Sequence, residues 1–129
     1  MATSYPVLMH SAPAAASLAS NQFYAVTLES DGTVARHNSV TDVPFGVLQN
    51  TPASGKAAEV MVIGRTKVEF GETVTVGALI RFGANGKAYI FEVDVDITAY
   101  CAGTCNEGGD AGEIGMAMVQ CCNPFRGEK

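Results

Sequence analysis

The sequence predicts a small, mainly β single domain, a sandwich or barrel of short antiparallel strands with an extended N-terminal arm. Three observations support this prediction. The chain has 129 residues, which is close to the commonest size of one domain. It holds 14 glycines and no tryptophan, and short apolar runs alternate with turn signals. No stretch sustains a period of 3.6 residues, so any helix should be short.

Short runs of apolar and β-branched residues, each bounded by a turn signal, predict the individual strands. These runs are residues 23–28, 45–48, 58–68, 73–76, 78–82, 91–97 and 114–121. The run 91–97 has the clearest pattern, because apolar and polar residues alternate strictly along it. Residues 101–113 are rich in glycine and predict a loop.

Glycines mark the predicted turns between these strands. The turn at Asn85 and Gly86 is the strongest hairpin signal, because a type I′ turn needs positive φ at both central positions. We expect a set of residues to be required structurally, namely Gly32, Gly46, Gly55, Gly77, Asn85, Gly86 and Gly115.

The sequence also contains a weak internal repeat. Residues 24–34 align without gaps on residues 78–88, and in each copy an apolar run leads into Asp-Gly or Asn-Gly. An apolar-Gly-apolar run follows each copy, at 45–47 and at 114–116. Two copies are too few for a solenoid, so the repeat predicts two related hairpin layers of one sandwich or barrel.

We expect three segments: an extended arm (1–20), a β domain (21–122) and a polar C-terminal tail (123–129). Prolines at positions 6 and 13 oppose a continuous helix in the arm. Two interpretations of the arm remain open, a frayed terminus or a segment that becomes ordered on a partner. The second rests on four side chains that are too apolar for a solubilising tail, Tyr5, Val7, Leu8 and Met9.

The charge pattern opposes two classes of partner. The net charge is −5, and the 8 lysines and arginines are scattered singly, so the dense positive surface of a nucleic-acid-binding protein is missing. No lysine or arginine precedes Arg36, so the basic region of a secretory signal is missing too. No apolar run reaches the roughly 18–20 residues that span a bilayer. We expect that the protein does not associate with membranes. We also expect that it is synthesised in the cytoplasm.

No catalytic constellation is visible in the sequence. The two histidines are His10 and His37, and neither a G-x-S-x-G nor an H-E-x-x-H motif occurs. The segment Ser54-Gly55-Lys56 does not fit the P-loop pattern at either end. We therefore expect no enzyme activity and no cofactor.

Two acidic groups are interpreted as structural rather than chemical. Glu92, Asp94 and Asp96 share one face of the predicted strand 91–97, where a solvated face is a simpler interpretation than a cation site or a catalytic pair. Glu107, Asp110 and Glu113 lie in the glycine-rich loop and could hold Ca²⁺ through their oxygens, but their spacing is not that of an EF-hand calcium loop.

The four cysteines leave three alternatives open. They are Cys101, Cys105, Cys121 and Cys122, placed on either side of the acidic loop. Reduced thiols, one or two disulfides, and a zinc site are all compatible with this spacing. Zinc is the weakest alternative, because adjacent strand residues point to opposite faces and the usual C-x₂-C pairs are missing. Sequence cannot choose among the three disulfide connectivities.

The order of turns and glycines resembles that of the capsid decoration, or cement, proteins of tailed bacteriophages. The resemblance lies in PFGVLQN, TPASGKAAEVMVIGRTKV, VTVGALIRFGANGKA and EIGMAMV, and it spans roughly residues 22–119. The matching positions are turn and core residues: Pro44, Gly46, Val47, Gly55, Val60, Gly64, Gly77, Leu79, Asn85, Gly86, Ile114, Gly115 and Ala117. The cysteines and the loop 101–113 depart from the family pattern.

The resemblance implies a structural virion protein, commonly a homotrimer, on the outer surface of an icosahedral phage head. Such a protein bridges neighbouring subunits of the major capsid protein, and repeated weak contacts can fasten a shell. Its location would be the capsid surface after synthesis in the host cytoplasm. The alternative from another class is a small, non-catalytic β-barrel binding module, such as a carbohydrate- or metal-binding adhesin.

Overall fold

The computed structural model describes residues 5–92, 99–121 and 125–126. This part of the chain contains only strands, turns and irregular segments, which confirms the mainly β prediction. No helix that is long and apolar enough to cross a membrane occurs among these residues. The strands are β1 Tyr5–Pro13, β2 Ala25–Leu28, β3 Val34–Arg36, β4 Gly46–Leu48, β5 Ala57–Glu69, β6 Leu79–Phe82, β7 Ala88–Ile90, β8 Tyr100–Cys101, β9 Gly103–Glu107, β10 Ile114–Gln120 and β11 Phe125–Arg126.

Nine strands form one curled antiparallel sheet. Eight of them follow the order β3-β2-β4-β5-β10-β9-β6-β7, and β1 also pairs with β5. The long β5 is therefore central, because β1, β4 and β10 all pair with it. The short strands β8 and β11 form a separate pair, which places residues 125–126 of the predicted tail beside Tyr100 and Cys101.

The structure confirms the internal repeat in the two hairpins. In β2 and β3, Val26 pairs with Arg36, and in β6 and β7, Ile80 pairs with Ile90. Both positions are shifted by 54, from 26 to 80 and from 36 to 90, so the two hairpins have the same register. The turns agree as well, since Gly32 N donates to Glu29 O at 3.0 Å and Gly86 N to Gly83 O at 3.0 Å.

The repeat extends well beyond the hairpins. The strand trio β2-β4-β5 corresponds to β6-β9-β10. Each half of the sheet also curls back toward its own hairpin. An isolated parallel bridge joins Ala14, just after β1, to Val34 of β3, and another joins Phe70, just after β5, to Ala88 of β7. We call β1–β5 the first unit, and β5, β6, β7, β9 and β10 the second unit. The two units share β5.

One detail of the predicted repeat is wrong. The counterpart of Gly46 is Gly103, not Gly115, because Gly46 and Gly103 occupy the same register position beside Met61 and Met118. A Cβ atom on Gly46 would lie 2.6 Å from the Met61 carbonyl oxygen, and one on Gly103 would collide with the Met118 carbonyl oxygen. The predicted loop 101–113 therefore contains β9, which a close backbone approach attaches to β10.

The N-terminal segment is extended, as predicted, but it is not separate from the domain. Residues 57–65 of β5 pair with β1, and Ala14 N donates to Lys56 O at 2.9 Å. Ala12, Ala14 and Leu18 are buried in the smaller of two core clusters. The predicted boundary at residue 20 therefore does not divide the core, because small side chains before it fill the interior of the first unit.

Two clusters of buried side chains form the core. The larger one lies mainly in the second unit and contains Ala25, Val47, Val62, Val68, Phe70, Val74, Ile80, Phe82, Ala88, Ala102, Cys105, Ala117, Val119 and Cys121. The smaller one lies in the first unit and contains Ala12, Ala14, Leu18, Val26, Val34, Leu48, Ala58 and Val60. Ala25 and Val47 of the first unit contribute to the larger cluster, so the two units share part of their core.

The turn at Asn85 and Gly86 differs from the predicted type. Gly86 has φ of 80°, whereas Asn85 is not in the positive-φ region, so the turn is not type I′. The hairpin loop is longer than two residues, because Gly83 N donates to Lys87 O at 3.0 Å. The Asn85 side chain instead accepts a hydrogen bond from Lys87 N at 3.1 Å, which holds the turn closed.

Two predicted strands have other outcomes. Only Val74 of the run 73–76 is paired, through an isolated bridge with Gly109. Most of the run 91–97 lies outside the described residues, including Asp94 and Asp96. Phe91 and Glu92 are described, and they follow the end of β7 as irregular chain.

Candidate docking surface

The first half of β1 carries the most continuous apolar surface among the described residues. Val7, Leu8 and Met9 are 73%, 46% and 41% exposed. Strand residues point alternately to two faces, so exposure of three consecutive residues means that neither face is covered here. We call these three side chains the β1 patch. Tyr5, the fourth residue of the predicted partner-binding set, occupies the first position of the same strand.

The β1 patch lies on a strand that pairs with β5. Leu8 pairs with the half-buried Ile63 of β5, and Met9 pairs with the buried Met61. The His10 ring contacts Phe45 edge-on, with a centroid separation of 5.0 Å. The same strand then enters the core at Ala12. The apolar side chains are therefore presented by an ordered strand rather than by a free arm.

One ion pair spans three of the central strands. Arg65 of β5 donates to Glu107 of β9 at 3.0 Å, across the intervening strand β10. Met116 of β10 lies between these strands and is fully buried. Both charged side chains remain partly exposed, so this ion pair should contribute no more than about 1 kcal/mol to stability.

A second polar cluster links the two units. Lys87 lies 3.1 Å from Glu69, and the Tyr24 hydroxyl donates to the same carboxylate at 3.0 Å. Burial, together with the hydrogen bond to Glu69, raises the pKa of the Tyr24 phenol. The contact with Glu69 also raises the pKa of the Lys87 ammonium group. This cluster therefore ties the chain before β2 to the end of β5 and to the chain before β7.

The three described cysteines are buried. They are Cys101, Cys105 and Cys121, and no disulfide joins them. Burial raises the pKa of the Cys101 and Cys105 thiols, which lowers the fraction of reactive thiolate at neutral pH. No group of three metal-ligating side chains occurs among the described residues, whereas Cys122 lies outside them.

The remaining polar candidates have structural partners. Both ring nitrogens of the buried His37 face carbonyl oxygens, that of Gly83 at 2.9 Å and that of Asp42 at 3.1 Å. Asp110 accepts a hydrogen bond from the Thr73 hydroxyl at 3.1 Å. Asp110 N in turn donates to Glu113 at 2.7 Å, so these two carboxylates brace the turn before β10.

The predicted turn glycines fall into two groups. Positive φ angles of 80–87° occur at Gly32, Gly55, Gly77 and Gly86. Gly115, in contrast, allows close packing, because a Cβ atom there would collide with the Glu107 carbonyl oxygen and with the Phe70 ring. None of these glycines lines the β1 patch, so their contribution is to the fold.

The fold has a known counterpart. The crystal structure of the N base of head fiber gp8.5 of bacteriophage phi29 matches with a TM-score of 0.64 over 88% of this chain and 93% of that one. The chain has the fold of this head fiber base. The two sequences are 16% identical. The fold neighbour is thus a phage head-associated protein, the same broad class to which the sequence resemblance points.

No protein-family model matches the chain, and no curated protein matches it in sequence.

Sequence reasoning located the β1 patch but missed several other exposed apolar side chains. Leu28 and Met118 are each 45% exposed, and both belong to apolar runs that predict strands without indicating which side chains are exposed. No sequence signal marks them, because the contrast with their counterparts Phe82 and Met61, which are each 2% exposed, appears only in the structure. Where equivalent positions of the two units differ in this way, one unit buries a surface that the other leaves exposed.

Proposed function

We propose that this chain is a structural protein of a phage virion that binds the outer surface of an icosahedral head. There it contacts subunits of the major capsid protein and stabilises the boundaries between them. The observation that carries the proposal is the fold similarity to a head fiber base, which covers 93% of that structure. The independent resemblance of the sequence to capsid decoration proteins supports the same location.

The β1 patch is the proposed contact with the shell. Its three side chains are 73%, 46% and 41% exposed, so their burial against a capsid would stabilise the complex by roughly 2–5 kcal/mol in total. The strand is already ordered on β5, so docking does not incur the cost of about 1–2 kcal/mol per residue for fixing a free arm. A modest contact of this size suits a protein that is repeated over a lattice.

A homotrimer is the proposed form on the head. Three copies present three β1 patches, and simultaneous attachment raises retention far above that of a single weak contact. The proposal includes no catalysis and no cofactor.

Val7→Asp tests the proposed attachment. The substitution places a carboxylate in the most exposed position of the β1 patch, and we expect occupancy of undecorated heads to fall at least about tenfold. The measurement is co-sedimentation of the purified protein with undecorated heads of the phage that encodes the chain, over a dilution series.

Val76→Asp is the matched control, because Val76 is 69% exposed and lies in the turn before β6 rather than on β1. Both variants should melt within a few degrees of the unmodified protein. Equal binding curves for the two variants would contradict attachment through the β1 patch.

A further inference from the structure

The two units of the chain pack together through unlike surfaces. Three side chains of the first unit form a row across β2, β4 and β5, since Ala25 pairs with Val47 and Val47 pairs with Met61. We call this the packed row, because its members are no more than 2% exposed. Ala25 and Val47 share a core cluster with Phe82 of the second unit.

The hairpin of the second unit completes this contact. Ala25 N donates to Gly86 O at 2.8 Å, and the His37 ring lies 2.9 Å from Gly83 O. The fit is tight, because a Cβ atom on Gly86 would lie 3.2 Å from the Ala25 carbonyl oxygen. The end of the second hairpin, residues 82–86, therefore sits against β2 and the chain after β3. We call it the packed hairpin end.

The second unit contains a counterpart of the packed row, and the first unit contains a counterpart of the packed hairpin end. The counterpart of the packed row is the open row, in which Leu79 pairs with Thr104 and Thr104 pairs with Met118. Leu79 and Thr104 are only partly buried, and Met118 is 45% exposed where Met61 is 2% exposed. The second unit thus exposes the surface that the first unit buries.

The first unit contains an exposed counterpart of the packed hairpin end. Its hairpin end, residues 28–32, corresponds to residues 82–86, and Leu28 is 45% exposed where Phe82 is 2% exposed. We call it the open hairpin end. The two ends have the same backbone, because Glu29 N donates to Thr33 O at 2.7 Å as Gly83 N does to Lys87 O.

We propose that a second copy of this chain docks head to tail, with its open hairpin end against the open row of the first copy. The contact repeats between chains the arrangement that already joins the two units within one chain. It uses different surfaces on the two partners, so it can continue from copy to copy and closes only if the rotation forms a ring. A ring of three copies would be the homotrimer proposed above, but the contact itself does not depend on a role in phage heads.

The intermolecular contact should be weaker than the one within the chain. Phe91 occupies the position of His37 and has no ring nitrogen to place against a carbonyl oxygen. Leu28 is also smaller than Phe82. Two chains in addition lose the translational freedom that a single chain has already given up. We therefore expect association in the micromolar to millimolar range rather than a permanent dimer.

Two complementary variants test the head-to-tail geometry. Leu28→Lys alters only the open hairpin end, and Met118→Lys alters only the open row; both residues are exposed, so the fold should persist. Sedimentation velocity of the isolated protein, from about 10 μM to about 1 mM, should show self-association of the unmodified chain. Each variant alone should associate at least about tenfold more weakly, and Val76→Lys should behave as the unmodified chain does.

A one-to-one mixture of the two variants gives the decisive result. Each variant retains the surface that the other lacks, so the mixture should form dimers that do not grow further. Leu28→Ser and Met118→Ser repeat the test if either lysine variant melts early. A chain that stays monomeric over the whole series, variants that associate as the unmodified chain does, or a mixture that stays monomeric would each overturn the proposal.

Discussion

Deletion of residues 2–19 is expected to remove most of the stability of the domain. The deletion takes away β1, which pairs with β5 over residues 57–65, and the buried side chains of Ala12, Ala14 and Leu18. It exposes Ala58 on the neighbouring strand and opens the core of the first unit. The summed loss should exceed about 5 kcal/mol, which is comparable to the whole unfolding free energy of a small domain. Thermal and urea unfolding followed by circular dichroism measure this loss.

Two point substitutions show which part of the deleted segment stabilises the domain. Leu18→Ala should cost about 2–4 kcal/mol, because the side chain is 3% exposed. Val7→Ala should change the unfolding free energy by less than about 0.5 kcal/mol, because Val7 is 73% exposed. A truncated chain that melts with the full-length protein would show that the N-terminal segment is a detachable arm.

Gly103→Ala is expected to be the most damaging conservative substitution. The added Cβ atom would collide with the Met118 carbonyl oxygen, which belongs to a paired strand and cannot rotate away. Relief requires β9 and β10 to separate, so we expect a loss of about 3 kcal/mol or more in the free energy of unfolding. Urea unfolding of the purified variant measures it.

Gly32→Ala is the control for this substitution. Gly32 has φ of 86° but no atom within 4 Å of the added Cβ, so only backbone strain of about 1 kcal/mol applies. The difference between the two losses in unfolding free energy separates the cost of a steric collision between strands from the cost of an unfavourable backbone conformation. Equal losses in the two variants would mean that the β9–β10 contact is looser than described.

The strands with simple patterns could be predicted from the sequence. The run 58–68 is close to β5 (Ala57–Glu69), and the run 78–82 is close to β6 (Leu79–Phe82), because each is bounded by turn residues. The repeat of 24–34 on 78–88 was visible because both copies keep their turn chemistry. Patterns that reflect local geometry are therefore legible in a single sequence.

The elements that were missed depend on distant contacts. β9 looked like a loop because it begins at Gly103 and holds Asn106 and Glu107, yet its place is set by the approach of its backbone to β10. Ala12 and Ala14 looked like part of an extended arm, because alanine is small enough to fit either in solvent or in a tight core. Neither outcome follows from residue type alone.

The candidate surface was also predicted only in part, because its apolar residues are visible in the sequence and their structural context is not. The apolar character of Val7, Leu8 and Met9 predicted a contact with a partner, and the structure keeps these side chains exposed. What the sequence could not show is that an ordered strand presents them. The open row and the open hairpin end needed the register of three strands in each unit, which only the structure contains.

Electron cryomicroscopy of undecorated heads, imaged with and without saturating purified protein, tests the central proposal most directly. We expect added density on the outer surface of the shell, at repeated positions over boundaries between major capsid subunits. The fitted domain should place Val7, Leu8 and Met9 toward the shell. Heads that show no added density at saturating protein would contradict a role on the capsid surface.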